Sequence, residues 1–227
     1  MISIRTATAT DLPAILRVEE SWHEQGRAGG DKFIARLDKF PQGFFLACIG
    51  ESAEEVVATI TATPIAYQPD NLSRFSNWDE VTGNGYLHPV DLAACNALYI
   101  VSGVIDRRYR GQDIFTPMVL REVALAQNLG LRYVLAGAVL PGYDKHCQRV
   151  GECTAHDYCT TRRGQHLLDP LLAMYAAIDF SVPDARHVIA EYFPDDASRN
   201  HAALVVRDLH ASPWSVRNQA DEVLVLT

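Results

Sequence analysis

Residues 96–141 read NALYIVSGVIDRRYRGQDIFTPMVLREVALAQNLGLRYVLAGAVLP. The apolar run from Ala97 to Ile105 predicts a buried strand. A short loop follows, carrying Arg107, Arg108, Arg110 and Gly111. From Ile114 to Asn128 apolar residues return at helical spacing, and Gly130 stops the pattern. Leu131 to Val139 is a second apolar run and predicts the next strand. Strand, loop, helix, strand is a βαβ unit, whose crossover is expected to be right-handed. The first turn of such a helix leaves backbone N–H groups unpaired at the positive end of its dipole, so the loop suits a phosphate. Three arginines add charge and forked donors. A solvated basic loop has the same composition, and loop chemistry alone leaves both readings open.

The chain around this unit has 227 residues, enough for one domain with a real core. Hydrophobic residues make up 48% and charged residues 21%, as in an ordinary globular protein. A net charge of −8 disfavours nucleic acid as a partner, because phosphate binding needs a basic face. It suits a cationic acceptor such as an amine. No run of about 18 apolar residues occurs, so no transmembrane helix is expected. The opening Met1-Ile2-Ser3-Ile4-Arg5 starts a strand, lacks a signal-peptide layout, and makes the cytoplasm the expected compartment. Five cysteines, an odd number, argue against a disulfide framework there.

The central stretch resembles the core of the GNAT superfamily of acyl-CoA N-acyltransferases. Arg110-Gly111-Gln112-Asp113-Ile114-Phe115 lies on that family's loop frame, (Arg/Gln)-x-x-Gly-x-(Gly/Ala), which holds the coenzyme A pyrophosphate; Tyr109-Arg110-Gly111 matches its entry. Two positions depart. Asp113 stands where the family has glycine, and Phe115 where it has glycine or alanine. A carboxylate at the first place can cap the helix but repels a pyrophosphate. The phenyl ring adds bulk where a small residue lets backbone approach ligand. The opening Ile4-Arg5-Thr6-Ala7, followed by Asp11-Leu12, also resembles the family's first strand and helix.

The resemblance implies an α/β (α+β) fold: a mixed, mostly antiparallel central sheet, splayed between its fourth and fifth strands and flanked by helices on both faces. It implies a single domain over 1–227. A long loop at 65–95 and an insertion at 141–169 would lie on the acceptor side, as in a subgroup found alone or fused to a nitrilase-like domain. The loop holds Tyr67, Phe75, Trp78, Tyr86 and His88 and is read as a wall or lid. By the same resemblance the backbone near Val104 and Ile105 would hold the pantetheine arm and polarise the thioester carbonyl. Arg108, Arg110 and the segment Gly111, Gln112, Asp113, Ile114, Phe115 would hold phosphates. Tyr175, five residues before Phe180, matches the family's Tyr-x-x-x-Gly-Phe with Asp179 in place of the glycine, and would protonate the departing thiolate. A buried aromatic on an apolar helix reads the same way from the pattern alone.

In chain order, residues 2–7 predict an edge strand, and Thr8 or Thr10 a cap for a helix with Leu12, Ile15, Leu16 and Trp22 on its apolar stripe. Asp31 is the expected cap of a second helix with stripe Phe33, Ile34, Leu37 and Phe40. Glu19, Glu20, Trp22 and His23 could face a substrate there, or form a solvated face with a packed tryptophan. Residues 43–49 and 55–63 predict a hairpin around Gly50-Glu51-Ser52, with Pro64 ending its second strand. His146, Cys147, Cys153, His156, Cys159 and His166 crowd together, but no Cys-x-x-Cys pair occurs and no metal is expected. Thr154 with Asp157 reads as a capping box for a helix ended by Gly164. Asp169-Pro170 starts another. Residues 188–193 and 203–206 predict a last hairpin, and 221–227 an added strand or the contact surface of a homodimer.

Three activities follow. The first is an N-acyltransferase, most simply an acetyltransferase, moving an acyl group from acetyl-CoA or another acyl-CoA to an amine of a small molecule or peptide by direct attack. Asp106, Glu20, His23 and His88 are its candidate bases. The second takes the acyl group from an acyl carrier protein, whose arm has one phosphate and asks less of the pyrophosphate loop. The third is a non-catalytic binding or regulatory module on the same fold.

Overall fold

The structure is a computed structural model that describes residues 2–50 and 55–211. Its strands and helices, in order, are β1 (Ile2–Thr6), α1 (Leu12–Glu19), α2 (Gly30–Lys39), β2 (Phe44–Ile49), β3 (Glu55–Ile65), α3 (Trp78–Thr82), β4 (Ala97–Ile105), α4 (Phe115–Asn128), β5 (Tyr133–Val139), α5 (Tyr143–Val150), α6 (Ala155–Thr160), β6 (Arg162–Arg163), β7 (His166–Leu167), α7 (Pro170–Ala177), β8 (Val188–Ile189) and β9 (Ala202–Asp208). The main sheet has strand order β1-β2-β3-β4-β5-β9-β8. β4 and β5 run parallel in an otherwise mostly antiparallel sheet flanked by helices, as the resemblance implies. The turn at 51–52 and the tail at 221–227 lie outside the described residues. None of the described helices is long and apolar enough to cross a membrane.

The chain packs as two compact units. The first takes in the described residues of 1–66 and 85–134 and the segment from 209. β1 pairs antiparallel with β2 from Ile2↔Ile49 to Thr6↔Phe45, and β2 with β3 from Phe44↔Thr61 to Ile49↔Glu55. β3 pairs antiparallel with β4 from Ala58↔Ile105 to Ile65↔Ala97, with a bulge between Thr61 and Ala62. Every residue of β3 after Glu55 is buried, so the strand reads as a continuous apolar run. β3 does not end at Pro64 as expected. Beyond Thr61 it has no β2 partner, and a proline is tolerated on an unpaired strand edge. Phe44, Leu46 and Cys48, alternate residues of β2, pack with Ile15 and Val18 of α1 and Phe33 of α2. Leu12, Leu16, Trp22 and Leu37 flank that cluster.

The α2 stripe differs from the sequence expectation. Ile34 is 56% exposed, and Arg36 is buried in its place. Positions 33, 36, 37 and 40 share a helical face, and position 34 falls off it. Asp31 is not the cap: Gly29 holds that position, while Asp31 sits in the first turn and accepts from the Tyr86 hydroxyl.

The second unit takes in 67–84 and 135–208. β8 and β9 pair as Val188↔Ala203 and Ile189↔Ala202, a shorter hairpin than the pattern suggested. The stretch expected as a loop carries its own helix, α3, capped by Asn77 accepting the Glu80 N–H at 2.8 Å. Tyr67 and Phe75 are buried edge to face at 5.9 Å, and Trp78 meets Phe193 at 5.6 Å. Tyr67, Phe75 and Trp78 therefore serve the core of this unit, while Tyr86 is exposed. α6 ends at Thr160, short of Gly164. Thr154 caps it through the Asp157 N–H, and Thr160 and Thr161 hydroxyls close it on the Asp157 carbonyl. Gly164, at φ +65, turns the small hairpin of β6 and β7 instead.

Glu122 of α4 is fully buried, and neither carboxylate oxygen has a hydrogen-bond partner. Burial pushes its carboxyl well above the ordinary 4.5, so it is held neutral. A group raised in the folded state contributes stability that is fully present below the unfolded value and is lost as pH rises toward the folded one. Glu122→Leu is therefore expected to raise stability at neutral pH by about 1–3 kcal/mol. Its advantage over the wild type should widen as pH rises above 4.5. Denaturant melts at several pH values check both; a less stable variant at neutral pH would contradict the reading.

Candidate functional site

β4 ends where Asp106 begins to turn the chain. Its N–H bonds the Val57 carbonyl at 2.8 Å. Its carboxylate accepts the Arg108 N–H at 3.0 Å, capping a tight helical turn over Arg107–Tyr109. The same carboxylate accepts Arg108 Nε at 3.1 Å and Nη2 at 2.7 Å. That guanidinium holds the Asp106 carboxyl below its usual range. Arg108 Nη2 also reaches Glu55 at 2.6 Å, and the Tyr109 hydroxyl donates to the other Glu55 oxygen at 3.0 Å. Arg108 is thus paired with two carboxylates.

The other two arginines are placed differently. Arg107 gives its N–H to the Ser21 hydroxyl and its Nη2 to the Glu20 carbonyl at 2.8 Å. Arg110 Nη2 reaches the Ser21 carbonyl at 2.7 Å. Both donate to backbone at the end of α1, where the helix dipole is negative. The positive charge of this exposed turn is therefore carried by Arg107 and Arg110 more than by Arg108.

The phosphate-loop frame follows. Gly111 has φ +83, and a Cβ there would meet nothing. Asp113, in the family's glycine position, has φ +43, a conformation aspartate tolerates better than most residues. It does not cap α4. Ile114 holds that position without a side-chain bond, and the Asp113 carboxylate accepts the Thr116 hydroxyl at 2.5 Å. A left-handed Asp113 turns the chain one residue too early for its side chain to serve as the cap. Phe115, the other departure, lies over Gly103 of β4: a Cβ on Gly103 would overlap the ring. The bulk added at 115 is taken up by missing bulk at 103. Val104 is buried beside it and pairs with Thr59; Ile105 pairs with Ala58.

Deeper in the same unit Arg36 is 1% exposed. Nε donates to the Gly85 carbonyl at 2.8 Å and Nη1 to the Ser102 hydroxyl at 2.9 Å; Nη2 has no partner. Burial lowers its pKa to about 10. Of the residues expected near an acceptor, Glu19 is buried, accepts the Ala28 N–H at 2.8 Å, and is pushed up by burial. Glu20 is exposed. Trp22 packs on the core with the His23 ring 5.2 Å away.

In the second unit, Asp169 caps α7 through the Leu171 and Leu172 N–H groups at 3.0 and 3.1 Å and accepts the buried Tyr158 hydroxyl at 3.0 Å. Burial raises both groups. A Cβ on Gly142 would overlap that Tyr158 hydroxyl, so the turn into α5 needs glycine. Tyr175 of α7 is 3% exposed and meets Phe180 edge to face at 5.1 Å. Asp179, again in a family glycine position, has φ +64 and accepts from Arg207. A buried chain that the sequence reading missed joins the Tyr67 hydroxyl to His187 Nε2 and His187 Nδ1 to Asp184, each at 2.9 Å. Asp184 and His187 are three residues apart, but Tyr67 lies 120 residues from His187, so no local motif announces the chain. The five cysteines are free, Cys147 and Cys153 lying 3.6 Å apart at sulfur. Among the described residues no three His, Cys, Asp or Glu side chains converge as metal ligands.

No protein-family model matches the chain, and no curated protein matches it significantly. Solved structures do. The loading GNATL domain of CurA from Lyngbya majuscula superposes with a TM-score of 0.76 at 19% identity, over 93% of this chain and 100% of that one. The GphF GNAT-like decarboxylase in complex with isobutyryl-CoA gives 0.73 at 23% identity, over 91% and 99%. The ribosomal-protein-S18-alanine N-acetyltransferase from Escherichia coli gives 0.55 at 11% identity, over 92% and 94%.

The exchange between Gly103 and Phe115 is testable. Gly103→Ala is expected to lose about 1–3 kcal/mol by overpacking. Adding Phe115→Ala should return most of that loss, a coupling that a double-mutant cycle in denaturant measures. Additive effects would mean the two side chains do not share the space.

Proposed function

We propose that this chain, which has the GNAT fold, binds an acyl thioester of coenzyme A or of a carrier-protein phosphopantetheine and removes CO2 from a carboxyacyl group. The observation that carries this reading is the closer agreement in fold, end to end, with a GNAT-like loading domain and a GNAT-like decarboxylase than with an N-acetyltransferase.

The chemistry supports the choice. In a 2-carboxyacyl thioester, such as a malonyl thioester, the bond from Cα to the carboxyl carbon breaks. Its electron pair passes to Cα and onto the thioester oxygen as an enolate, CO2 leaves, and Cα then takes a proton. The reaction needs donors on that oxygen and a proton source, but no base. Backbone N–H groups of β4 near Val104 and Ile105 are the proposed donors. Tyr175 is the proposed acid. The turn holding Arg108 and Arg110, with Gly111, Gln112, Asp113, Ile114 and Phe115, is the proposed phosphate grip, with Arg110 contributing more charge than the doubly paired Arg108. Amine acylation needs a base strong enough for an ammonium. Asp106, the carboxylate at the end of β4, is held below its usual range by Arg108 and is a poor one.

A second reading, acyl transfer to an amine of a small molecule or peptide, is supported by the N-acetyltransferases that share the fold. In it Tyr175 would protonate the leaving thiolate. Incubation with malonyl-CoA, methylmalonyl-CoA and a malonyl carrier protein, followed by mass spectrometry, separates the two. The expected product is the thioester shortened by CO2, without any amine present. Amine-dependent release of free CoA with the acyl group intact would overturn decarboxylation in favour of transfer. Tyr175→Phe is expected to lower kcat on the order of 100-fold with thioester affinity little changed. Unchanged kcat would remove Tyr175 from the mechanism.

A further inference from the structure

α2 presents Arg36 to the inside of its own unit, in the register of Phe33 and Leu37. No carboxylate bonds to it among the described residues, and Nη2 has no partner at all. Buried Glu19 offsets its charge in part without bonding to it, and a carboxylate on the open N–H would complete the pairing. Ser102 receives the Arg36 Nη1 bond at 2.9 Å, so its own hydroxyl proton remains to be given. An arginine N–H and a serine O–H thus stand side by side, the pair of donors that a carboxylate accepts. Ser102 lies on β4 two residues before Val104, on the same face of the strand.

We propose that Arg36 and Ser102 form a carboxylate subsite that selects a thioester whose acyl group ends in a free carboxylate. The proposal deepens the reading of the reaction given above and rests on it. Residues 85–87 lie against α2 beside this pair. α2 holds this segment by three side chains: Asp31 accepts the Tyr86 hydroxyl, Arg36 binds the Gly85 carbonyl, and Lys39 binds the Leu87 carbonyl at 2.8 Å. Leu87 has φ +62, a strained conformation for a leucine. A strained segment tied to α2 by side-chain bonds is the part that yields when a carboxylate enters.

The test compares malonyl-CoA with butyryl-CoA, which is similar in length but uncharged at the acyl end. Binding is read by calorimetry for the wild type, Ser102→Ala and Arg36→Met, with melting curves alongside. The wild type is expected to bind malonyl-CoA on the order of 100-fold better. Ser102→Ala keeps both arginine–backbone packing and fold, and should lose roughly tenfold of that preference. Arg36→Met should abolish it if the variant melts cooperatively, and Ser102→Ala decides the matter if it does not. An unaltered malonyl-to-butyryl ratio in a folded Ser102→Ala overturns the subsite, even where the wild type decarboxylates. Selective malonyl-CoA binding without CO2 release upholds the subsite and overturns the reaction instead. Equal binding of the two thioesters, with free amino acids raising the melting temperature of the wild type but not of Ser102→Ala, would place an acceptor's carboxylate there and overturn the assignment to the acyl group.

Discussion

The turn after β4 depends on Asp106. One buried carboxylate ends the strand, caps the following turn and fixes Arg108, which in turn holds Glu55 at the start of β3. Charge-assisted bonds of this kind are short and directional, and a desolvated carboxylate makes them stronger. With Asp106 and Arg108 committed, Arg107 and Arg110 are aimed at the carbonyl end of α1. The loop is therefore a rigid, positively charged ledge between a strand and two helices. The position of the first turn of α4 follows from it.

The departures from the resembled pattern are accommodated through backbone and volume. Aspartate replaces glycine at 113 and 179, and both aspartates keep the left-handed backbone that glycine would have supplied. Phenylalanine replaces a small residue at 115, and a glycine opposite it on β4 makes the room. Tyr192 stands over Gly137 of β5 in the same way, and Tyr158 over Gly142. In each case a ring is admitted by deleting one Cβ, since close-packed interiors leave no other space. The turn at 111–115 thus carries a carboxylate and a phenyl ring at the two positions where the resembled pattern has small neutral residues.

Glu122 and Arg36 are both buried in the first unit without full pairing. Glu122 resolves its burial by holding its proton, and so is silent electrostatically. Arg36 has no such escape, because a guanidinium stays charged even with its pKa lowered to about 10. A carbonyl and a hydroxyl bond to it, and buried Glu19 offsets its charge in part without a bond. Cores tolerate such groups at positions where a ligand or a conformational tie gives something in return, and Arg36 here has features of both, a free arm and a hold on the strained segment at 85–87.

Much of the architecture was legible in the residues alone. The apolar runs at 97–105 and 131–139, the helical spacing between them and the glycine at 130 specify the central βαβ unit, because those signals are local. Asp169-Pro170 and Thr154 with Asp157 announced their helices for the same reason, since caps are short-range bonds. What only the tertiary structure decided involves partners distant in sequence. The α2 stripe was misread because arginine at 36 looks like surface, and its burial follows from Gly85 and Ser102, which no pattern within α2 reveals. Pro64 stayed in a strand because its neighbour strand had already ended. The arginine ledge depends on Glu20, Ser21 and Glu55, and the chain Tyr67–His187–Asp184 on two segments far apart in sequence. Local sequence specified which elements form; packing and long-range hydrogen bonding decided which polar groups are buried together, and with them the chemistry of the site.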